Sequence, residues 1–525
     1  MTRNFHHPGR SAVYAQNGMC ATSHPLAAQV AVETLKSGGN AMDAAIAGAV
    51  LLGICEPQMT GIGGDCFALF KPAGSEDIHA YNGSGWAPMA ADADKLRNKG
   101  QQTIGERSVE AVTIPGAMDA FCKLSADWGN IGLDRILAPA IHYAKQGVPV
   151  APRVALDCVG SLAQLNATAK GFYTNNENEL QTGDIFRAPA QADVLRRVAT
   201  QGRDGFYSGD VCEDMVNTLQ KFGGDHTEAD FADLQTFPTQ PISAQFPQFD
   251  LYEHPPNGQG ATAILLMNVL EQFKMGDLAP DSAQRLHLET EATKLAYEAR
   301  NKFIADPSIS VTERMLSLEV AETLAGMIDP DRARISAPEF MGSTHKDTVY
   351  ITVVDKDRMA VSLIYSVFHN FGSGIASEKF GILFQNRGCG FNLTKGHPNE
   401  YGSRKRPMHT IIPGMIKEAG RVTMPFGVMG GQFQPLGHVR LLQNHFLHGM
   451  DWQTAVDFPR AFFDKGVLKL EQGVSEQAAK KLAEMGHKIV RSPKPLGGAQ
   501  AIYMHENGLL EGASDPRKDG IALGY

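Results

Sequence analysis

The compact motifs that pair a reactive side chain with fixed spacing are missing from this chain. There is no GxSxG elbow, no HExxH, no GxxxxGK[ST] and no EF-hand loop. The run Gly61-Ile62-Gly63-Gly64-Asp65 looks like a phosphate cradle, but it follows a helical pattern instead of a strand and has no lysine. It reads as a glycine-rich turn between helix and strand. Seven cysteines (Cys20, Cys55, Cys66, Cys122, Cys158, Cys212, Cys389) are scattered and form no CxxC pair. They fit reduced thiols in a cytoplasmic protein better than a disulfide framework or a zinc site, and no metal or organic cofactor is implied. A threonine such as Thr348, opening the β-rich run TVYITVVD, is by itself an ordinary strand residue.

The elements that must carry any chemistry are legible from composition and periodicity. Of 525 residues, 43% are apolar and 20% charged, enough for two to four domains or one large intertwined α/β domain. The net charge of −9 is spread along the chain, which argues against a nucleic-acid surface or a polybasic membrane anchor. No apolar run reaches the roughly 18 residues of a membrane span, and the N-terminus shows no apolar core of a secretory signal, so a cytoplasmic location is expected. A first helix is expected to open at Ser23 with Pro25 in its first turn and to end at Gly38-Gly39. Asn40 then caps a second helix, AMDAAIAGAVLLGIC, apolar on nearly all faces and therefore buried. Strands are expected at 66–71 and 78–81, and a mostly helical middle runs from 105 to 329. Beyond 341 the pattern turns to β: a hairpin of 348–355 and 360–367, further strands at 381–384, 410–416 and 422–428, and strands again at the C-terminus. A helix is expected from about Gln432-Phe433, and another over 476–485. Strands at both ends with helices between predict sheets layered between helices.

Several long segments then resemble one family. SHPLAAQVAVETLKSGGNAMDAAIAGAVLLGICEPQMTGIGGDCF, DTVYITVVDKDRMAVSL, FGSGI, KRPMHTIIPG, GVMGGQFQP and EGASDPRKDGIALGY occur in the order of the gamma-glutamyltransferase (glutathione hydrolase) family of N-terminal-nucleophile enzymes. The resemblance implies an α+β fold, the αββα four-layer sandwich. It implies a proenzyme that cuts its backbone before Thr348, giving a large subunit 1–347 and a small subunit 348–525 within one intertwined domain. A dimer of such processed pairs is left open; nucleic-acid and membrane partners are not expected. A threonine hydroxyl needs a base, and the freed α-amino group, with an ordinary pKa of about 7.7–8.0, supplies one tethered in place. By the same matching Gly430 and Gly431 fall on the glycine pair of the oxyanion hole. Ser366 falls on a second threonine that supports the amino group, and Thr352 on another family hydroxyl.

The residues that hold a glutamate head group in typical members are changed. Ser84 stands for the arginine that binds the α-carboxylate and Phe368 for an asparagine. Arg387 and Gly390 stand for the glutamine and aspartate that receive the α-amino group, and His409 and Thr410 for two serines. A site with Arg387 and His409 is expected to prefer an acyl group bearing a carboxylate but no α-ammonium. The expected activity is acyl-enzyme turnover of γ-glutamyl (glutathione-like) or related acidic amides. A small carboxylate amide such as oxamate is the alternative, and an uncleaved, non-catalytic binding protein the second.

Overall fold

The computed structural model describes residues 9–334 and 346–525. The start of the chain, and the stretch leading to the expected cleavage point, lie outside the described residues.

Two antiparallel sheets of seven strands each lie at the centre. The first has the order Ile521–Gly524, Met19–Thr22, Lys346–Val354, Ala360–His369, Asp65–Lys71, His79–Gly83, Phe237–Thr239. The second runs Val13–Ala15, Leu510–Ser514, Gly498–Met504, Arg421–Met429, Gly414–Glu418, Asp250–Glu253, Ile242–Gln245. Each sheet thus mixes strands from both sides of Thr348. Period-two alternation decides what each strand buries. In Lys346–Val354, Val349, Ile351 and Val353 join the core beneath the helices, while Tyr350 and Val354 point between the sheets. The sheets are tied across that interface by Ser362, whose hydroxyl donates to the Phe426 carbonyl at 3.1 Å.

Helices cover both outer faces and complete the αββα sandwich. Against the first sheet lie Pro25–Lys36 and Ala41–Cys55, the latter buried at every position, as its unbroken apolar sequence requires. Against the second lie Gly260–Leu270 and Gln434–Phe446. Among the described residues no helix is long and apolar enough to cross a membrane.

Several sequence expectations are corrected. The first helix is capped by His24, whose Nδ1 accepts from the Leu26 N–H at 3.3 Å, because Ser23 is engaged with Glu56. Besides the paired two-residue strands Val148–Pro149 and Ile185–Phe186, the middle of the chain holds three strands, Phe237–Thr239, Ile242–Gln245 and Asp250–Glu253, in a stretch whose Pro238, Pro241 and Pro247 mask any alternation. Of these three, the first two are the terminal strands of their sheets, where proline removes no ladder bond. Residues 381–384 form no strand; the region folds back on itself through the Ala376–Leu383 bridge. The strand expected at 410–416 starts only at Gly414, since Ile412 N–H donates to Gln434 Oε1 at 2.9 Å and not to a neighbouring strand.

Candidate active site

Thr348 sits near the start of the central strand Lys346–Val354, where pairing with Ala360–His369 slips by one residue between Asp347 and Val349. One residue, Thr348, therefore faces two, Ser366 and Val367. Such a bulge re-aims a side chain at the edge of a regular ladder. Thr348 Oγ1 lies 3.2 Å from Ser366 Oγ, and both residues are buried. Ser366 Oγ also accepts the Phe368 N–H at 2.9 Å. Phe368 adopts φ +81°, a left-handed backbone that turns the chain out of the strand. Thr352, four residues along, spends its hydroxyl on the Val361 carbonyl at 2.9 Å.

The glycine pair lies at the end of Arg421–Met429, in a 3₁₀ turn (Gly431–Phe433) that packs against the strand of Thr348. Gly430 has φ +116° and Gly431 φ +54°, and a Cβ on Gly430 would fall 2.8 Å from Gly497 Cα. The N–H groups of both glycines find no acceptor among the described residues. Gln259 fixes the turn from behind: its amide donates to Gly431 O at 3.0 Å and Thr410 O at 2.7 Å, and its Oε1 accepts from Arg300 at 2.8 Å. Arg300 also donates to Gln432 Oε1.

The substituted head-group positions form a buried polar layer. Arg387 has no exposed surface; its guanidinium lies 3.7 Å from the centre of the Phe368 ring and donates to Thr410 Oγ1 at 2.9 Å, with Nη2 3.5 Å from Ser366 Oγ. His409 Nδ1 accepts the Ile411 N–H at 3.3 Å, which leaves Nε2 to donate to Asp65 Oδ2 at 3.1 Å. Burial, then the charge of Arg387, holds the His409 imidazole well below its usual pKa, so the ring is neutral at pH 7. Asp65 Oδ1 accepts from Gly85 N–H (2.9 Å), Gly116 N–H (3.2 Å) and Gln385 Nε2 (2.8 Å). Burial pushes its carboxyl up to about 6 against the pull of Arg387, and burial draws Arg387 down to about 9 against the support of Asp65. Ser84 belongs to a separate knot, donating to Asn82 Oδ1 at 2.7 Å and lying 3.2 Å from Asn257 Oδ1.

A cavity of about 540 Å³ opens beside these groups, lined among others by Phe368, Gly390, Phe391, Met408, Arg300 and Gln432. Among the described residues no Asp or Glu lines it. Thr348, Ser366, Phe368, Arg387 and Thr410 thus come together, whereas Ser84 stands apart behind Asn257. Asp65, Gln259 and Arg300 are members that sequence reasoning passed over. The signal for Asp65 was a lone carboxylate heading a strand, DCFALFK, otherwise apolar up to its terminal lysine. The glycines before it form the expected turn: Gly64 O accepts from Gly116 N–H (3.0 Å) and Ala117 N–H (2.9 Å).

Among the described residues one cluster has metal-ligand composition, His287, Glu291 and His487, with ligand atoms within 4.8 Å of one another. Lys294 Nζ, 2.6 Å from Glu291 Oε1, already supplies the positive charge there.

The gamma-glutamyltranspeptidase family model matches residues 27–525. The chain belongs to that family. It is 34% identical to the oxamate amidohydrolase proenzyme of Klebsiella pneumoniae, covering 98% of this chain and 100% of the relative. It is 32% identical to the glutathione hydrolase-like YwrD proenzyme of Bacillus subtilis, covering 98% and 99%. The cephalosporin acylase of Bacillus halodurans superposes with a TM-score of 0.92 at 34% identity, covering 100% of this chain and 99% of that one. This family member is a self-cleaving proenzyme that yields two subunits from one precursor, and its mature form is an N-terminal-nucleophile hydrolase.

Proposed function

We propose that the nucleophile is Thr348 and that the precursor is cut at Asp347–Thr348 into chains 1–347 and 348–525. The observation that carries this reading is the Thr348–Ser366 hydroxyl pair, 3.2 Å apart at a strand bulge and beside a glycine turn with two unused N–H groups. In maturation the Thr348 hydroxyl attacks the Asp347 carbonyl, the amide becomes an ester, and water opens it. This leaves a carboxylate on Asp347 and a free amine on Thr348. In turnover that amine accepts the hydroxyl proton as Oγ1 attacks the substrate's amide carbon. Gly430 and Gly431 N–H groups receive the developing oxyanion. The amine then returns the proton to the leaving nitrogen, and water or an amine acceptor releases the acyl group. Ser366 holds the amine toward Oγ1.

The acyl group we infer carries a carboxylate and no α-ammonium. Among the described residues the cavity has a guanidinium behind Gln432 and no carboxylate in its wall, so it offers an ammonium no counter-charge. The relative named for oxamate, an amide with a carboxylate and no ammonium, supports the same reading. Seven cysteines with no disulfide among them favour the cytoplasm as its compartment.

The purified protein should run as two fragments on a denaturing gel, the smaller beginning Thr-Val-Tyr. Thr348→Ala should give a single uncut band. Cleavage that persists in this variant moves the nucleophile elsewhere, and a wild-type chain that never cuts makes the protein a binding scaffold. Among substrates, kcat/KM for oxamate or glutaryl-p-nitroanilide should exceed that for γ-glutamyl-p-nitroanilide; the reverse order defeats the charge argument.

A further inference from the structure

Arg387 is placed to act on the nucleophile's surroundings instead of on substrate. One face of its guanidinium is covered by the Phe368 ring at 3.7 Å, Nη1 is committed to Thr410, and no part is exposed. A substrate carboxylate could reach it only after Phe368 moved away. A buried cation needs a counter-charge; no described carboxylate forms an ion pair with Arg387, and Asp65 is the acidic side chain whose charge supports it from a distance. In the strand pairing Asp65 lies directly opposite Ser366, so the two side chains share a face at the same end of the sheet as Thr348. Asp65 is itself locked by three N–H donors and by His409.

We propose that Arg387 and Asp65 are positioning residues, a buried charge pair that orients Ser366 and Thr410 about Thr348 and whose opposed fields set how readily the freed α-amino group holds a proton. The inference rests on Thr348 being the nucleophile. Arg387 lies one hydroxyl away from Thr348 and disfavours an ammonium there; Asp65, on the far side of Ser366, favours one. Other charged or titratable groups surround this end of the sheets. Cys389 acts on Arg387, and His369, which follows Phe368, lies 4.0 Å from Cys389 Sγ and 3.4 Å from Glu106 Oε2. His409 and His254 lie behind Asp65 and are held neutral by burial. Arg406 feels Asp65 from the segment before His409. The Glu253–His438 pair lies beyond Tyr350, and Arg300 stands behind Gln432. Of these, only Arg387 is in contact with Ser366.

The test is the pH profile of kcat/KM for processed wild type, Arg387→Met, Arg387→Lys and Asp65→Asn. It is measured with glutaryl-p-nitroanilide and its uncharged counterpart valeryl-p-nitroanilide. Arg387→Met should move the acid limb up by about one pH unit and Asp65→Asn should move it down, the shift expected for a unit charge a few ångströms away in partly screened surroundings. Arg387→Lys keeps the charge and should leave the limb near its wild-type position. Arg387→Met should lower kcat for both substrates by the same factor, about 100-fold. A variant that melts cooperatively but cuts itself slowly also supports the proposal, because maturation uses the same hydroxyl and no added substrate. Limbs that stay put, or that move in the same direction in Arg387→Met and Asp65→Asn, overturn it. So does a loss confined to the glutaryl substrate, which would make Arg387 a substrate contact. A wild-type chain uncut at Thr348 would remove the catalytic reading itself, whereas a cut, active enzyme with unmoved limbs removes only this inference.

Discussion

Two glycine turns border the site, and they need glycine for different reasons. In the first, Gly61–Gly64, the carbonyls tie the turn to its neighbours: Gly61 O accepts from Gly64 N–H at 2.9 Å, Gly64 O takes two N–H groups, and Gly63 O takes the Gln385 N–H at 3.0 Å. None of its glycines has positive φ; Gly63 and Gly64 are there because a Cβ would collide, at 2.3 Å from Ser366 O for Gly64 and 2.2 Å from Leu383 O for Gly63, whereas a Cβ on Gly61 would meet nothing. In the second, Gly430–Gly431, positive φ is required, and the two N–H groups are left over. A turn whose glycines answer to close backbone packing and whose carbonyls bind neighbouring segments is packing material. A turn of left-handed glycines whose two N–H groups have no acceptor among the described residues, packed against the strand of the proposed nucleophile, is suited to receive an anion.

Gly430→Ala tests that contrast with the largest expected effect on activity. An alanine at φ +116° is strained by about 1–2 kcal/mol and meets Gly497 Cα, so the turn must shift and carry its N–H groups off target. Loss of one oxyanion donor lowers kcat by about 10²–10³-fold. We expect that drop in kcat, with KM little changed and a modest loss of stability. Full kcat in Gly430→Ala would end the distinction between the turns.

Gly64→Ala should show the converse balance. The collision is with the backbone of the strand carrying Ser366, which cannot rotate aside, so about 3 kcal/mol of stability should be lost. Urea midpoints of the uncut Thr348→Ala chain, with and without Gly64→Ala, measure this on a single polypeptide. A wild-type midpoint would mean the strand yields and the turn is not a packing device.

The two turns were not equally legible. GVMGGQFQP pointed to an oxyanion hole only through family resemblance, because unused N–H groups leave no mark in a sequence. The first turn was legible as a turn, but its product, Asp65, was not. A single carboxylate before CFALF gives no hint that His409 and Gln385, some 320 to 344 positions later, converge on it. The central hairpin and the buried helix Ala41–Cys55 were visible because each carries one uninterrupted periodicity. The edge strands around Pro238 and Pro241 were not, since edges are where sheets tolerate residues that do not look like strand. Arg387 was visible as a charge, but its burial under Phe368 depends on a left-handed residue that only three-dimensional structure reveals.

The smallest effect expected concerns the entrance to the first turn. Glu56 follows helix Ala41–Cys55, accepts from the Ser23 hydroxyl, and offers its carbonyl to Met59 and Thr60 N–H groups as the chain bends toward Gly61. Burial raises its carboxyl from 4.5 to about 7, despite nearby Lys518. The sign follows directly. Between about pH 4.5 and 7 the folded chain retains a proton that the unfolded chain has lost, so this group makes stability fall as pH rises through that window. The fall is complete above pH 7, at about 3 kcal/mol. Glu56→Gln keeps an acceptor for Ser23 and has no charge to bury. It should flatten this part of the stability profile and leave the protein more stable than wild type at pH 8, with little difference at pH 4. Because the first turn is packing, kcat should not change. A Glu56→Gln enzyme that gains stability but loses turnover would show that ionisation beside the first turn reaches the chemistry, and the two turns would then no longer be separable by function.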